Sequence, residues 1–180
     1  MSERIRAFVA LPAPSPLREA LVRTTERVLA RAPTGRGRPR GVRPGQLHLT
    51  LKFLGDVTPQ QLEPVRAELV AAAARTHPID ARLRGVTAFP SPARARVIVA
   101  ELEDGSGSIA TLARGLSRAA ASAGVAEEHR ALRAHVTLAR LGSAADTREW
   151  LEMEPAAHAP CRFEQLVLYQ ELEVPDGSGD

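Results

Sequence analysis

His48-Leu49-Thr50-Leu51-Lys52-Phe53-Leu54-Gly55 and His135-Val136-Thr137-Leu138-Ala139-Arg140-Leu141-Gly142 are two copies of one pattern. Both read His-x-Thr-Leu-x-x-Leu-Gly, they agree at five positions, and they lie 87 positions apart. A single His-x-Thr triplet would be noise. Two such octets on apolar, strand-like runs imply a chain of two related halves. The halves are expected to meet, each delivering one His and one Thr to a shared cleft.

Strand geometry gives the pattern its chemistry. Side chains at i and i+2 share a face, so His48 projects with Thr50, and His135 with Thr137. Leu49, Leu51, Val136 and Leu138 then point the other way, into a core. Two imidazoles across a cleft can act as general acid and general base, because an ordinary histidine titrates near pH 6.5. Two threonine hydroxyls can donate hydrogen bonds to an anion held between them. The constellation suits cleavage of a phosphodiester and calls for no metal. A lone His in an apolar strand is more often a packed or surface residue. A duplication that keeps both the polar and the apolar face argues for function.

Composition sets the outer bounds. A chain of 180 residues is one domain, or two small lobes of one. The apolar fraction of 44% and the charged fraction of 25% are those of an ordinary globular protein. Aromatic residues make up only 3%, so the core rests on Leu, Val and Ala, and few rings are left for stacking bases. No apolar run reaches the roughly eighteen residues of a membrane span. Met1 to Pro12 lacks the basic and long apolar segments of a signal peptide. Cys161, the single cysteine, excludes an internal disulfide and fits a reducing cytoplasm. No Cys or His cluster has zinc-ligand spacing, and no cofactor is expected. The net charge is +3, the isoelectric point is about 9.9, and Lys52 is the sole lysine. Arginine matches phosphate well, so an anionic partner is weakly favoured.

Punctuation along the chain yields the elements. Ile5 to Leu11 reads as a strand. Ser15 as cap and Pro16 open a helix to Arg31. Pro33 to Gly45 reads as a loop whose Arg36, Arg38, Arg40 and Arg43 could form a phosphate-contacting rim near the first motif, or simply be solvated. Gln46 to Phe53 is the first motif strand, with a turn at Gly55-Asp56. Thr58, Pro59 and Gln61 form a capping-box pattern for a helix to about Arg75. Strands follow at Ala81 to Thr87 and Ala95 to Leu102, with a Pro-rich turn around Phe89 to Pro92. A helix from about Ser108 to Ala123 precedes the second motif strand, Leu132 to Leu141. A short helix at Asp146 to Met153 and a strand at Phe163 to Leu172 complete the chain, and residues 174–180 read as a frayed tail. His77, His129 and His158 match no motif and read as surface or loop residues. The order predicts an α+β fold. It is a two-lobed, pseudo-twofold arrangement of mostly antiparallel sheets lining a central cleft, with helices on the outside. Residues 1–180 then form a single two-lobed unit.

With these motifs the chain resembles the two-histidine phosphoesterase superfamily, and within it the bacterial RNA 2′,3′-cyclic phosphodiesterases, also called 2′-5′ RNA ligase-like proteins. The likeness runs from about Arg4 to Leu172. It includes Arg6 to Pro12, both octets, Phe89-Pro90 before Arg96 to Val99, and Leu166 to Tyr169. The resemblance implies hydrolysis of an RNA 2′,3′-cyclic phosphate to a 2′-phosphate without metal. It makes His48 the proton donor to the leaving 3′ oxygen and His135 the base that activates water. Thr50 and Thr137 would hold the phosphate oxygens. Arg140 matches an Arg common in the second motif and could neutralise transition-state charge. Strand parity from His135 opposes this unless a bulge re-aims it. Lys52 has the right parity with His48 and Thr50 to join them, or is simply solvated. Two departures bear on substrate fit: the sequence after Tyr169, and Arg133-Ala134 where many relatives have a Pro before the His.

Partners implied are RNA ends or nucleotides bearing a 2′,3′-cyclic phosphate, handled by a monomer away from membranes. Alternatives are 2′-5′ joining of RNA ends, another small cyclic phosphate, or a non-catalytic RNA-end binder.

Overall fold

The computed structural model describes residues 4–33, 38–126, 131–152, 154 and 159–171. Among them, eight strands and four α-helices follow one another as β1 (Ile5–Pro12), α1 (Ser15–Arg31), β2 (Arg40–Gly41), β3 (His48–Val57), α2 (Pro59–Arg75), β4 (Ile79–Phe89), β5 (Ala95–Glu103), α3 (Ser108–Ser122), β6 (His135–Ala145), α4 (Arg148–Leu151), β7 (Pro160–Phe163) and β8 (Val167–Glu171). The expected α+β class and antiparallel pairing hold. The strand order is β7-β4-β5-β6-β3-β1-β8, with β2 on β6, and every pairing is antiparallel.

The two halves meet at the middle of this order. β3 and β6, the two motif strands, are joined by the single pair Leu49↔Val136. On one side of this seam lie β3, β1 and β8; on the other lie β6, β5, β4 and β7. Helices tie the sides together. α3 packs on β3 and on α2, while α1 packs against β6 and β7. Leu49, Leu51, Val136 and Leu138 are buried in one continuous core with Leu17, Leu21 and Leu116. Each fully buried Leu of this kind contributes about 1.5–3 kcal/mol. Arg27 and Arg31 of α1 both bind the buried Glu154 carboxylate, at 2.9 and 2.6 Å, anchoring the segment after α4.

Several local expectations need correction. Ser15 lies inside α1, and Pro14 takes the cap position without a side-chain bond. Gly55-Asp56 is not a turn but part of β3. Leu54 is an extra residue there, since Ala7 pairs with Gly55 while Phe8 pairs with Phe53. Gly55 has φ of 69°, a value a bulge can demand and glycine supplies cheaply. β2 and β7 were not expected: β2 is two residues long, and β7 opens on a proline, which the first position of an edge strand accommodates. Arg36, His129, His158 and residues 174–180 lie outside the described residues. No helix among the described residues is long and apolar enough to cross a membrane.

The Thr58 capping box forms as the pattern predicts. Gln61 N–H donates to Thr58 Oγ1 at 3.3 Å, and Thr58 N–H donates to Gln61 Oε1 at 3.0 Å. Gln61 Nε2 also donates to the Ala123 carbonyl, joining the start of α2 to the end of α3. Thr58→Ala should cost about 1 kcal/mol. A thermal melt should show this as a drop of about 2–4 °C.

Candidate active site

β3 and β6 run past each other at the seam, and their pairing at Leu49↔Val136 decides what faces what. One residue to either side, the antiparallel register sets His48 level with Thr137, and Thr50 level with His135. The two motifs are thereby brought together head to tail about a local twofold. The intervening Leu49 and Val136 are fully buried, while the His and Thr side chains are half-buried.

Beyond the Thr, both strands carry the same irregularity. Against β1, Ala10 pairs with Thr50 but Val9 pairs with Lys52, leaving Leu51 as an extra residue. Against β5, Val99 pairs with Thr137 but Ile98 pairs with Ala139, leaving Leu138 as an extra residue. Each bulge reverses the alternation of faces that follows it. Leu51 and Lys52 are consecutively buried and Phe53 turns out to 61% exposure. Leu138 and Ala139 are consecutively buried and Arg140 turns out. The carbonyl of Leu138 accepts the Val42 N–H at 2.8 Å, which anchors the bulge from the β2 side. Phe53 and Arg140 hold equivalent places in the two octets. The groove thus receives a ring from one half and a guanidinium from the other.

His48, Thr50, Phe53, His135, Thr137 and Arg140 line one groove of about 710 Å³, with Phe8 and Tyr169 on its wall. The five site residues expected from sequence are therefore together. The bulge resolves the parity objection to Arg140. Lys52 is corrected: the Leu51 bulge turns it inward, where it is 3% exposed and donates to the Ala126 carbonyl at 3.1 Å. Of the two readings of the arginine loop, solvation is the one that Arg38, Arg40 and Arg43 fit, all three being exposed. Arg40 pairs with the second motif strand, not the first. The loop reaches the groove through Val42, Gly45 and Gln46, whereas Arg38, Arg40 and Arg43 are not among the lining residues. His77 is exposed, as expected, and lies outside the groove.

Both imidazoles are held alike. His48 Nδ1 is 2.6 Å from the Gln46 carbonyl, and His135 Nδ1 is 2.6 Å from the Arg133 carbonyl. A carbonyl only accepts, so Nδ1 carries the proton and Nε2 is the atom left for proton transfer. Burial holds the His48 pKa below its ordinary value. The Gln46 carbonyl opposes this by favouring the charged ring, and the nearby Arg140 guanidinium adds to the depression. An anion bound between His48 and Arg140 would relieve that repulsion and favour a protonated ring.

Aromatic contacts, which sequence reasoning did not place, brace both rings. Phe8 stacks on His48 with centroids 4.9 Å apart and on Tyr169 at 4.9 Å. Phe89 meets His135 edge-on at 5.0 Å. Four of the six aromatic residues of the chain thus gather at the groove, despite the low aromatic content. The one available sequence signal was the octet alignment, which sets Phe53 opposite Arg140.

Among the described residues, no group of three or more His, Cys, Asp or Glu is placed to hold a metal ion.

The family model described as LigT like Phosphoesterase matches residues 11–99, which contain the first octet. A Geobacillus stearothermophilus protein named RNA 2′,3′-cyclic phosphodiesterase is 28% identical over 170 residues, covering 93% of this chain and 52% of its own length. An Aeropyrum pernix protein of the same name is 36% identical over 99 residues, covering 54% of each. The chain thus spans about half the length of these curated relatives. The crystal structure of TT0787 of Thermus thermophilus superposes with a TM-score of 0.72 at 29% identity, covering 91% of this chain and 86% of that one. On its paired octets, its fold and these matches, the chain is similar to the LigT-like phosphoesterases of the two-histidine superfamily.

Proposed function

We propose that the protein hydrolyses the 2′,3′-cyclic phosphate at an RNA end to a 2′-phosphate, using paired histidines as general acid and base. One observation carries the reading. Two Nδ1-anchored imidazoles, two threonines and one arginine converge in a single groove across the seam. His135 Nε2 takes a proton from water as its oxygen attacks phosphorus. The P–O bond to the ribose 3′ oxygen breaks, and His48 delivers the proton to that oxygen. Thr50 and Thr137 hydroxyls donate to the non-bridging oxygens, and Arg140 offsets the charge that grows on them. Phe53, exposed at the groove edge, offers a face for the terminal base.

The relatives' names support the substrate class. The chain is read as one two-lobed unit and a monomer. A cytoplasmic setting fits Cys161, whose buried thiol has its pKa pushed up to about 11, mainly by burial and secondarily by Asp80. Such a thiol is unreactive.

The test incubates the protein with an oligoribonucleotide ending in a 2′,3′-cyclic phosphate, with EDTA present, and identifies the product. A 2′-phosphate, absent with His48→Ala, is expected. A 3′-phosphate would reverse the leaving group. Binding without turnover would make the protein an RNA-end binder.

A further inference from the structure

The groove does not end at the histidines. A second compartment of about 750 Å³ adjoins it and shares Thr50, Phe53 and His135 with it. Phe53 and His135 therefore stand on the boundary between the two. This second compartment runs along α3 and beneath the segment at residues 131–133. Either volume lies within the usual range for one small ligand. A free cyclic mononucleotide needs only one of them.

The chemistry of the second compartment is one-sided. Its lining among the described residues includes Arg114 and Arg118 of α3, Arg133 and Lys52, and no Asp or Glu. Arg114 and Arg118 are exposed and one helical turn apart, so both heads lie along the same edge. Neither has an acidic partner among the described residues. Arg133 lies over the Phe89 ring at 4.5 Å and pairs with Glu101 at 2.5 Å, so its charge is partly answered. Among the described residues, Lys52 reaches the Ala126 carbonyl from the floor. A row of arginine forks beside a site for one phosphodiester suits further phosphates of the same strand.

We propose that the α3 compartment holds the phosphate backbone of the nucleotides preceding the cyclic end, through Arg114 and Arg118. The preferred substrate is then an RNA strand and not a free cyclic mononucleotide. This rests on the activity proposed above. An acidic peptide would match the charge but has no reason to continue from the phosphodiester site.

The experiment compares kcat/KM on an oligoribonucleotide ending in a 2′,3′-cyclic phosphate with kcat/KM on the matching mononucleoside 2′,3′-cyclic phosphate. It uses wild type and the Arg114→Ala/Arg118→Ala double variant, with Arg118→Glu as a charge-reversal check. The double variant should lose roughly 5- to 30-fold on the oligonucleotide, as two exposed charge contacts allow, and nothing on the mononucleotide. The slope of log affinity against log salt for a labelled 2′-phosphate oligonucleotide should flatten by about 1.4, the share of two single-strand phosphate contacts. Equal losses on both substrates, or an unchanged salt slope, would overturn the proposal. If wild type turned over neither substrate, the activity reading itself would fall, while the binding slope would still judge the α3 compartment.

Discussion

His48→Ala and His135→Ala are each expected to lower kcat on a cyclic RNA end by about 10²–10⁴-fold, the usual worth of one positioned acid or base. Both rings have Nδ1 committed to a carbonyl two residues earlier, so each presents one defined nitrogen. Removing either leaves proton transfer to water on one side of the phosphorus. Because the two act in one step, the double variant should be little worse than the more damaging single. Far-ultraviolet circular dichroism and a melting curve would establish that the variants fold, which half-buried positions at the seam should permit. Near-normal turnover in either variant would remove that residue from the mechanism.

Arg140→Ala should cost about 10²–10³-fold in kcat, comparable with removing one donor aimed at a developing oxyanion. It should also move a pH limb. The kcat/KM profile reports the free enzyme. There, burial first and the Arg140 charge in addition hold the His48 pKa below its ordinary 6.5, against the Gln46 carbonyl. If His48 is the proton donor, activity requires its protonated form, so the limb of kcat/KM that reports His48 lies below pH 6.5. Arg140→Ala removes one depressing influence, so that limb moves to higher pH. Arg140→Lys keeps the charge and should leave the limb in place while restoring only part of the rate, since a lysine lacks the planar fork. A limb unmoved in Arg140→Ala would show that another group sets it. The same depression has a stability sign. The folded state favours the neutral ring, so the contribution is whole above pH 6.5 and is lost as pH falls through the lower folded value.

The second motif shows how far sequence reasoning reached. His135 and Thr137 follow the period-two rule, and their sharing of a face was legible at once. Arg140 was not, because five residues of regular strand would place it opposite. The extra residue Leu138 reverses that parity, and no residue type in His135–Gly142 announces a bulge. The same blindness misplaced Lys52, which strict alternation sends to the His48 face and the Leu51 bulge turns inward to the Ala126 carbonyl. The aromatic shortage misled in a different way. Composition counts rings but not their positions, and distant strands bring Phe8, Phe53, Phe89 and Tyr169 to one groove.

By itself the sequence determined that two equivalent strands exist, that each carries a His and a Thr on its polar face, and that the class is α+β. These follow from local periodicity and capping, which depend on neighbours a few residues apart. Only the tertiary structure decided that the strands pair at Leu49 and Val136, that matched bulges admit Phe53 and Arg140, and that the groove continues past His135 to the arginines of α3. Those outcomes depend on hydrogen-bond register between segments far apart in the chain, and one inserted residue reverses every face that follows it.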